Sequence, residues 1–265
     1  MSTGWHGRGR KKSGWLHKTL LLALPALVAT QYAAGTGGTH VKSGRPPSSA
    51  DIARAVQTPT STAGCPNPEG GACLGALAAG QHTSTRFQPQ LTYTVPAGWS
   101  NLEDHKGNYV LAPPGVTLAG LNAETGDYVG VAANADLADD CDFNAPPGVA
   151  STPSAFTAWL RGHPGMSTSH AHPILVGGLR GEVLDVRIAQ GWTRTCPFWT
   201  ATPVVPLMFG RKPSSFEHVV LPGHALRLYL LAHQGNVLRI EITDAKDAHY
   251  LDRYSHIVEG FAFKD

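Results

Sequence analysis

The chain has 265 residues, enough for one large domain or two small ones with a sizeable core. Hydrophobic residues at 42% and charged residues at 15% exclude both a fully disordered chain and a polytopic membrane protein. The formal charge of +2 comes from the N-terminus: Arg8, Arg10, Lys11, Lys12 and Lys18 fall in the first 35 residues, which hold no acid, and beyond them 16 bases face 19 acids. The body of the chain therefore gives no support for nucleic-acid binding.

The basic cluster runs into Thr19-Leu-Leu-Leu-Ala-Leu-Pro-Ala-Leu-Val-Ala29, a positive region followed by an apolar run, which is the pattern of a secretory signal. The run is short of the roughly 18–20 residues that span a bilayer comfortably. Ala33-Ala34-Gly35 offers a cleavage site, so residues 1–35 are expected to be a cleaved signal peptide or an N-terminal membrane anchor. Either way the rest lies outside the cytoplasm, secreted or anchored to the membrane, because the positive flank stays inside. Membrane contact would then run only through residues 16–34, and only if they are retained. Residues 36–64 are rich in Gly, Ser, Thr and Pro, including Arg45-Pro-Pro-Ser-Ser49, and read as a flexible linker. A single exported domain is expected over residues 65–265.

Four cysteines, Cys65, Cys73, Cys141 and Cys196, all follow the export segment. An even number in an exported chain suggests two disulfides, with three possible pairings. Cys65 with Cys73, closing a short Pro- and Gly-rich loop, and Cys141 with Cys196 across the domain is the most economical. Zinc is the alternative, but no CxxC pair and no Cys–His cluster at ligand spacing is present.

Strand signals dominate the domain. Leu91-Thr-Tyr-Thr-Val95 alternates and stops at Pro96; residues 108–112 are halted by Pro113-Pro114; residues 127–132 form a third strand. Thr152 caps a helix beginning at Pro153, with Phe156, Trp159 and Leu160 on one face and an end at 163–165. A turn at Gly177-Gly178 separates strands at 174–176 and 181–189. In the second of these, Leu184, Val186 and Ile188 share one face and Asp185 and Arg187 the other. Residues 225–231 and 237–243 flank Gln234-Gly235-Asn236 as an antiparallel hairpin. A second helix spans 248–259, with Leu251, Tyr254, Ile257 and Val258 at helical spacing, followed by Phe261 and Phe263. The expected fold class is α+β, an antiparallel β-sheet with helices packed on one face, stapled by disulfides.

The stretch Phe87-Gln-Pro-Gln-Leu-Thr-Tyr-Thr-Val-Pro-Ala-Gly-Trp99 with Asn101, Glu103 and Asp104 resembles an uncharacterised family of exported actinobacterial proteins. Cys65…Cys73-Leu-Gly75, Thr152-Pro-Ser-Ala155…Ala158-Trp-Leu160 and Val176-Gly-Gly-Leu-Arg-Gly181…Leu184-Asp185 match the same family. The resemblance covers roughly residues 63–263 and implies location and architecture but no chemistry. More distantly, the strand order with its closing Ile257-Val-Glu-Gly-Phe261 helix resembles PsbP-like α+β domains, a likeness of fold alone.

The sequence lacks the nucleophile elbow, a Gly-Lys phosphate loop, G-x-G-x-x-G and H-E-x-x-H. His170-Ala-His172 is the only close histidine pair, and a metal site would need a further ligand. Asp136, Asp139, Asp140 and Asp142 crowd around Cys141 without EF-hand spacing. No metal, cofactor or catalytic residue is expected. Trp99 beside Glu103 and Asp104 carries a weak sugar-binding signal, to which Trp192, Phe198 and Trp199 add aromatics. Asp185 stands among alternating strand residues. Trp99, Glu103, Asp104 and Asp185 are thus the candidate ligand-binding residues. The expected function is a non-enzymatic binding or interaction domain at the cell envelope, with a small molecule or envelope component as partner and no nucleic acid. The alternatives are a secreted hydrolase of wall polysaccharide or ester using Glu103, Asp104 or Asp185, and a membrane-tethered sensor domain. A glycosidase needs two carboxyl groups within about 5–10 Å.

Overall fold

The structure is a computed structural model that describes residues 76–122, 126–245 and 250–265. The expected signal, the linker, Cys65, Cys73 and residues 248–249 of the second helix lie outside the described residues. The chain divides into two units, Met1–Pro59 and Thr60–Asp265, and all described residues belong to the second.

Thirteen strands and three helices follow one another in the described residues. They are β1 (Gly80–Thr83), β2 (Gln90–Val95), β3 (Ser100–Asp104), β4 (Asn108–Ala112), α1 (Leu118–Asn122), β5 (Tyr128–Leu137), α2 (Pro153–Gly162), β6 (Met166–Thr168) and β7 (His172–Val176). The order continues with β8 (Leu179–Ile188), β9 (Val205–Gly210), β10 (Glu217–Val220), β11 (Ala225–His233), β12 (Asn236–Asp244), α3 (Tyr250–Glu259) and β13 (Ala262–Lys264). The strands expected from alternation are all present. Five unforeseen strands, β1, β3, β6, β9 and β10, join them.

Four long strands in the order β5-β12-β11-β8 form the centre of a ten-stranded antiparallel sheet. Each outer member of this quartet serves two short strands. Residues 129–132 of β5 pair with β4, which carries β3, whereas 135–137 pair with β9, which carries β10. Likewise β8 pairs with β7 over 179–183 and with β6 over 186–188. The change of partner along β5 falls at a bulge: Val237 opposes Ala135 but Arg239 opposes Ala132, so β5 holds one extra residue. There Asn134 adopts φ 51°, the left-handed region that asparagine tolerates better than most residues. A second, three-stranded sheet has the order β1-β2-β13.

Period-two alternation sends successive side chains of the central strands to opposite faces, and both faces are covered. Tyr229, Leu231, Leu238, Ile240 and Ile242 pack with Leu91 and Tyr93 of β2 and with Leu251, Tyr254, Ile257 and Val258 of α3. Leu226, Leu228, Leu230, Leu184 and Val186 face the other way, onto Phe156 and Leu160 of α2 and onto Val205, Leu207 and Val220. The two long helices therefore lie on opposite faces, not on one face as expected. Their own periodicity marks an apolar stripe without saying which side of a sheet it meets.

The start of α2 is as its sequence suggests. Thr152 is extended, its Oγ1 accepts from the Ala155 N–H at 3.3 Å, and Pro153 occupies the first turn, where its missing N–H is not needed. Cys141 and Cys196 form a disulfide with a Cα–Cα distance of 5.5 Å, tying the loop after β5 to the loop before β9. Among the described residues no helix is long and apolar enough to cross a membrane.

Candidate functional site

The residues singled out by sequence do not come together. Trp99 is only 3% exposed and meets Tyr254 edge-on at 4.9 Å, so its ring belongs to the core and offers no face to a sugar. Glu103 is half-buried on β3. Asp104 is fully buried and holds the loop before β2: its carboxylate accepts from the N–H groups of Thr85 (2.6 Å), Arg86 (3.0 Å) and Phe87 (2.8 Å) and from Thr85 Oγ1 (2.8 Å). Such a carboxylate is occupied on every side, and the nearby hydroxyls register its charge. Burial and then the neighbouring Asp104 push Tyr93 up to about 12, against a partly offsetting hydrogen bond from Tyr109 Oη at 2.6 Å. Asp104→Ala orphans these donors in the interior and is expected to lower unfolding free energy by about 2–3 kcal/mol in urea titration. A loss below about 0.5 kcal/mol would show that water replaces the carboxylate.

Asp185 makes a two-pronged pair with Arg227, Nε to Oδ1 at 2.7 Å and Nη2 to Oδ2 at 3.0 Å. Nη1 of the same guanidinium donates to Asp252 Oδ1 at 2.8 Å and Ser255 Oγ at 2.9 Å, joining the sheet to α3. The register runs Asp104–Tyr109–Val131–Ile240–Tyr229–Val183 across the sheet, and Asp185 is two residues along from Val183. Five strand spacings of ~4.8 Å separate Asp104 from Asp185 by about 24 Å. That distance is far beyond what paired carboxylates in glycoside hydrolysis use. Two of the four acids around Cys141 are likewise engaged: Asp136 pairs with Arg211, and Asp140 accepts from the N–H groups of Asp142 and Asn144.

Two arrangements that the sequence did not single out stand in their place. The first is a buried charged cluster on the α2 face of the sheet. Arg239, Glu241 and Thr243 alternate with the core isoleucines of β12, and Tyr128 lies opposite Thr243. The β9–β10 ribbon brings Phe216 over the Arg239 guanidinium at 4.3 Å and His218 beside Glu241. Glu241 is fully buried; its Oε2 accepts from Arg239 Nη1 at 2.7 Å and lies 3.1 Å from His218 Nδ1. Its Oε1 accepts from Tyr128 Oη and Thr243 Oγ1, both at 2.7 Å. Burial alone would push this carboxyl up. The charges of Arg239 and His218, with the hydrogen bonds from His218 and Thr243, outweigh burial and hold it well below the usual carboxylate range.

Two half-buried histidines are lowered too, in their case by burial itself. Burial lowers His224, helped by His218 and opposed by Asp127, Glu241 and Asp244. Burial and then Arg194 lower His163 against the pull of Asp139, and its Nδ1 accepts from the Gly165 N–H at 3.1 Å. Below about pH 6.5 the unfolded chain binds protons that these folded-state imidazoles resist. Their contribution is therefore complete above that pH and is lost as pH falls. Glu241, with its folded value depressed, adds stability above about pH 4.5 that disappears with further acidification. Melting temperature should thus fall between pH 7.5 and 5.5. His163→Gln with His224→Gln should flatten that interval, and an unchanged slope in the double variant would refute the assignment.

The second arrangement is a cleft of about 210 Å³ where the β11–β12 turn, the bulge of β5, loop 88–89 and loop 212–213 meet the end of the described chain. Pro89 and Ala133 are its buried apolar side, and His233 Nε2 lies 2.9 Å from Asp265 Oδ1 at its edge. The hydrogen bond from His233, followed by its charge and a bond from Gln234, holds the Asp265 carboxyl below its usual range.

No protein-family model matches the chain, and no curated protein matches it. Several solved structures are similar, two of them as follows. One is the solution structure of cyanobacterial PsbP (CyanoP) from Synechocystis sp. PCC 6803, at TM-score 0.34 and 10% identity, covering 73% of this chain and 98% of that one. The other is a crystal structure from Bacteroides thetaiotaomicron VPI-5482, at TM-score 0.28 and 12% identity, covering 66% of this chain and 45% of that one. Likenesses this remote say nothing about either arrangement described above.

Proposed function

We propose that residues 65–265 form an extracytoplasmic domain, carried behind an export signal or anchor and a flexible linker, that binds a small molecule or envelope component without transforming it. The observation that carries the binding reading is the 210 Å³ cleft, a concavity whose polar side chains come from four separate segments. At that volume it falls below the ~300–1,000 Å³ of sites for drug-sized ligands, which suits a small polar group. The compartment is supported by the Cys141–Cys196 bridge, because such bonds persist where thiols are not kept reduced. The acids that a hydrolase would use support binding over chemistry: Asp104 holds a loop, Asp185 holds α3 through Arg227, and the two lie on distant strands.

The test is a thermal-shift screen of the chain against wall fragments, sugars, lipid vesicles and divalent metals. A saturable rise in melting temperature with one class supports the reading. No rise with any class overturns it in favour of a domain that engages only a protein partner.

A further inference from the structure

Three non-glycine residues among those described have left-handed backbone, Asn134, Phe143 and Gln234, and two of them border the cleft. Asn134 is explained by the bulge of β5. Gln234 is not explained so simply. It is the first residue of a two-residue turn closed by the His233–Asn236 pair, with φ 48° followed by Gly235 at 76°. That geometry favours Asn, Asp or Gly at the first position, and glutamine is a poor choice for it. What glutamine adds is reach, because its longer side chain lines the same cleft as Asp265.

The groups facing the cleft define what it would hold. Asn134 Nδ2 donates to the Lys212 carbonyl at 2.9 Å, which leaves Oδ1 as an acceptor. His233 Nε2 lies 2.9 Å from Asp265 Oδ1, so the imidazole and the carboxylate already engage each other. An anion would meet the carboxylate, and a cation would have to displace His233. A hydroxyl both donates and accepts and fits this mixture of amide and carboxylate groups without disturbing the pair. Pro89 and Pro213 add apolar surface held by rings of fixed φ. The volume of about 210 Å³ equals about seven waters at ~30 Å³ each, the scale of one sugar ring.

We propose that this cleft binds a neutral, hydroxyl-rich small molecule the size of one sugar residue. Its hydroxyls engage Asn134, Gln234 and Asp265, and its C–H face lies on Pro89 and Pro213. The proposal rests on the binding-domain reading and narrows it to one site and one ligand class.

The experiment is a ¹H–¹⁵N NMR titration of the full chain with N-acetylglucosamine, galactose and arabinose, and with glucosamine and glucuronate as cationic and anionic counterparts. Saturable shifts at Asn134, Gln234 and Asp265 are expected with at least one neutral sugar and not with its charged counterparts. Gln234→Ala and Asp265→Ala should each weaken binding by about tenfold or more. Gln234→Asn is the decisive variant. Asparagine suits the turn better but is shorter, so binding should weaken while the melting temperature holds or rises. Unchanged affinity in Gln234→Asn, neutral sugars shifting only residues elsewhere, or response to the charged probes alone would each overturn the proposal. The last two results would leave the binding-domain reading standing, which falls only if the wider thermal-shift screen is blank.

Discussion

Arg239→Met is expected to destabilise the domain by about 3–5 kcal/mol, the range for stripping one partner from a buried ion pair. Glu241 is fully buried, and the charge of Arg239 is the largest of the influences that overcome the tendency of burial to neutralise it. Without the guanidinium the carboxylate keeps His218, Tyr128 and Thr243, but its charge is no longer balanced as it was. The protein must then leave an uncompensated charge in the interior, take up a proton, or open the β9–β10 ribbon to water. All three routes weaken the fold. The double change Arg239→Met with Glu241→Met removes both charges and replaces them with apolar volume, so it should recover more than half of the loss. Urea unfolding of the wild type, both single variants and the double variant measures this as a double-mutant cycle. A single-variant loss under 1 kcal/mol would show that water already solvates the cluster. A double variant as unstable as the sum of the singles would show that the pair is not the coupled unit.

The second large effect is expected from Cys141→Ala with Cys196→Ala. The bridge spans 55 residues and encloses α2, β6, β7 and β8. In the chain-entropy account a loop of that length stabilises by about 4 kcal/mol, by restricting the unfolded chain. Alanine suits Cys196, which is only 2% exposed and packs with Val204, Val219 and Leu221. Paired variants are preferable to a reductant because they leave Cys65 and Cys73 untouched. Chemical unfolding should show a lower midpoint. A loss below about 1 kcal/mol would mean that the unfolded chain is already constrained, or that the two loops are held by their side chains alone.

Much of the scaffold was legible because local rules and tertiary demands agree there. The alternation at 225–231 and 237–243 around a glycine turn yields β11 and β12, and Thr152-Pro153 marks the start of α2. The Cys141–Cys196 pairing followed from economy of loops. The strands that escaped notice are those whose residues argue against them. Pro206 sits inside β9, and Ser-Asn-Leu-Glu-Asp of β3 reads as a turn after Trp99. The facing of the helices escaped because an apolar stripe carries no label for one side of a sheet. The charged cluster escaped for a related reason: Arg239 and Glu241 alternate with isoleucines in the pattern of an edge facing water. Only the β9–β10 ribbon, itself unforeseen, turns them into interior groups. The cleft draws on positions 88, 134, 234 and 265, which no spacing connects. Its one trace in the sequence is a glutamine where a hairpin turn prefers asparagine.

The branching of the sheet has a bearing on how the protein behaves among copies of itself. Strands of nine or ten residues, with their unbroken apolar rows, are all interior, and the strands left at the margins, β3, β10, β6 and β7, have three to five residues each. One of these, β7, also carries Pro173, which has no N–H to offer a neighbouring chain. A long open margin is the template on which one molecule recruits another into a continuous sheet. By dividing each margin between two short strands, the sheet leaves no such template of useful length among the described residues, which works against edge-to-edge aggregation.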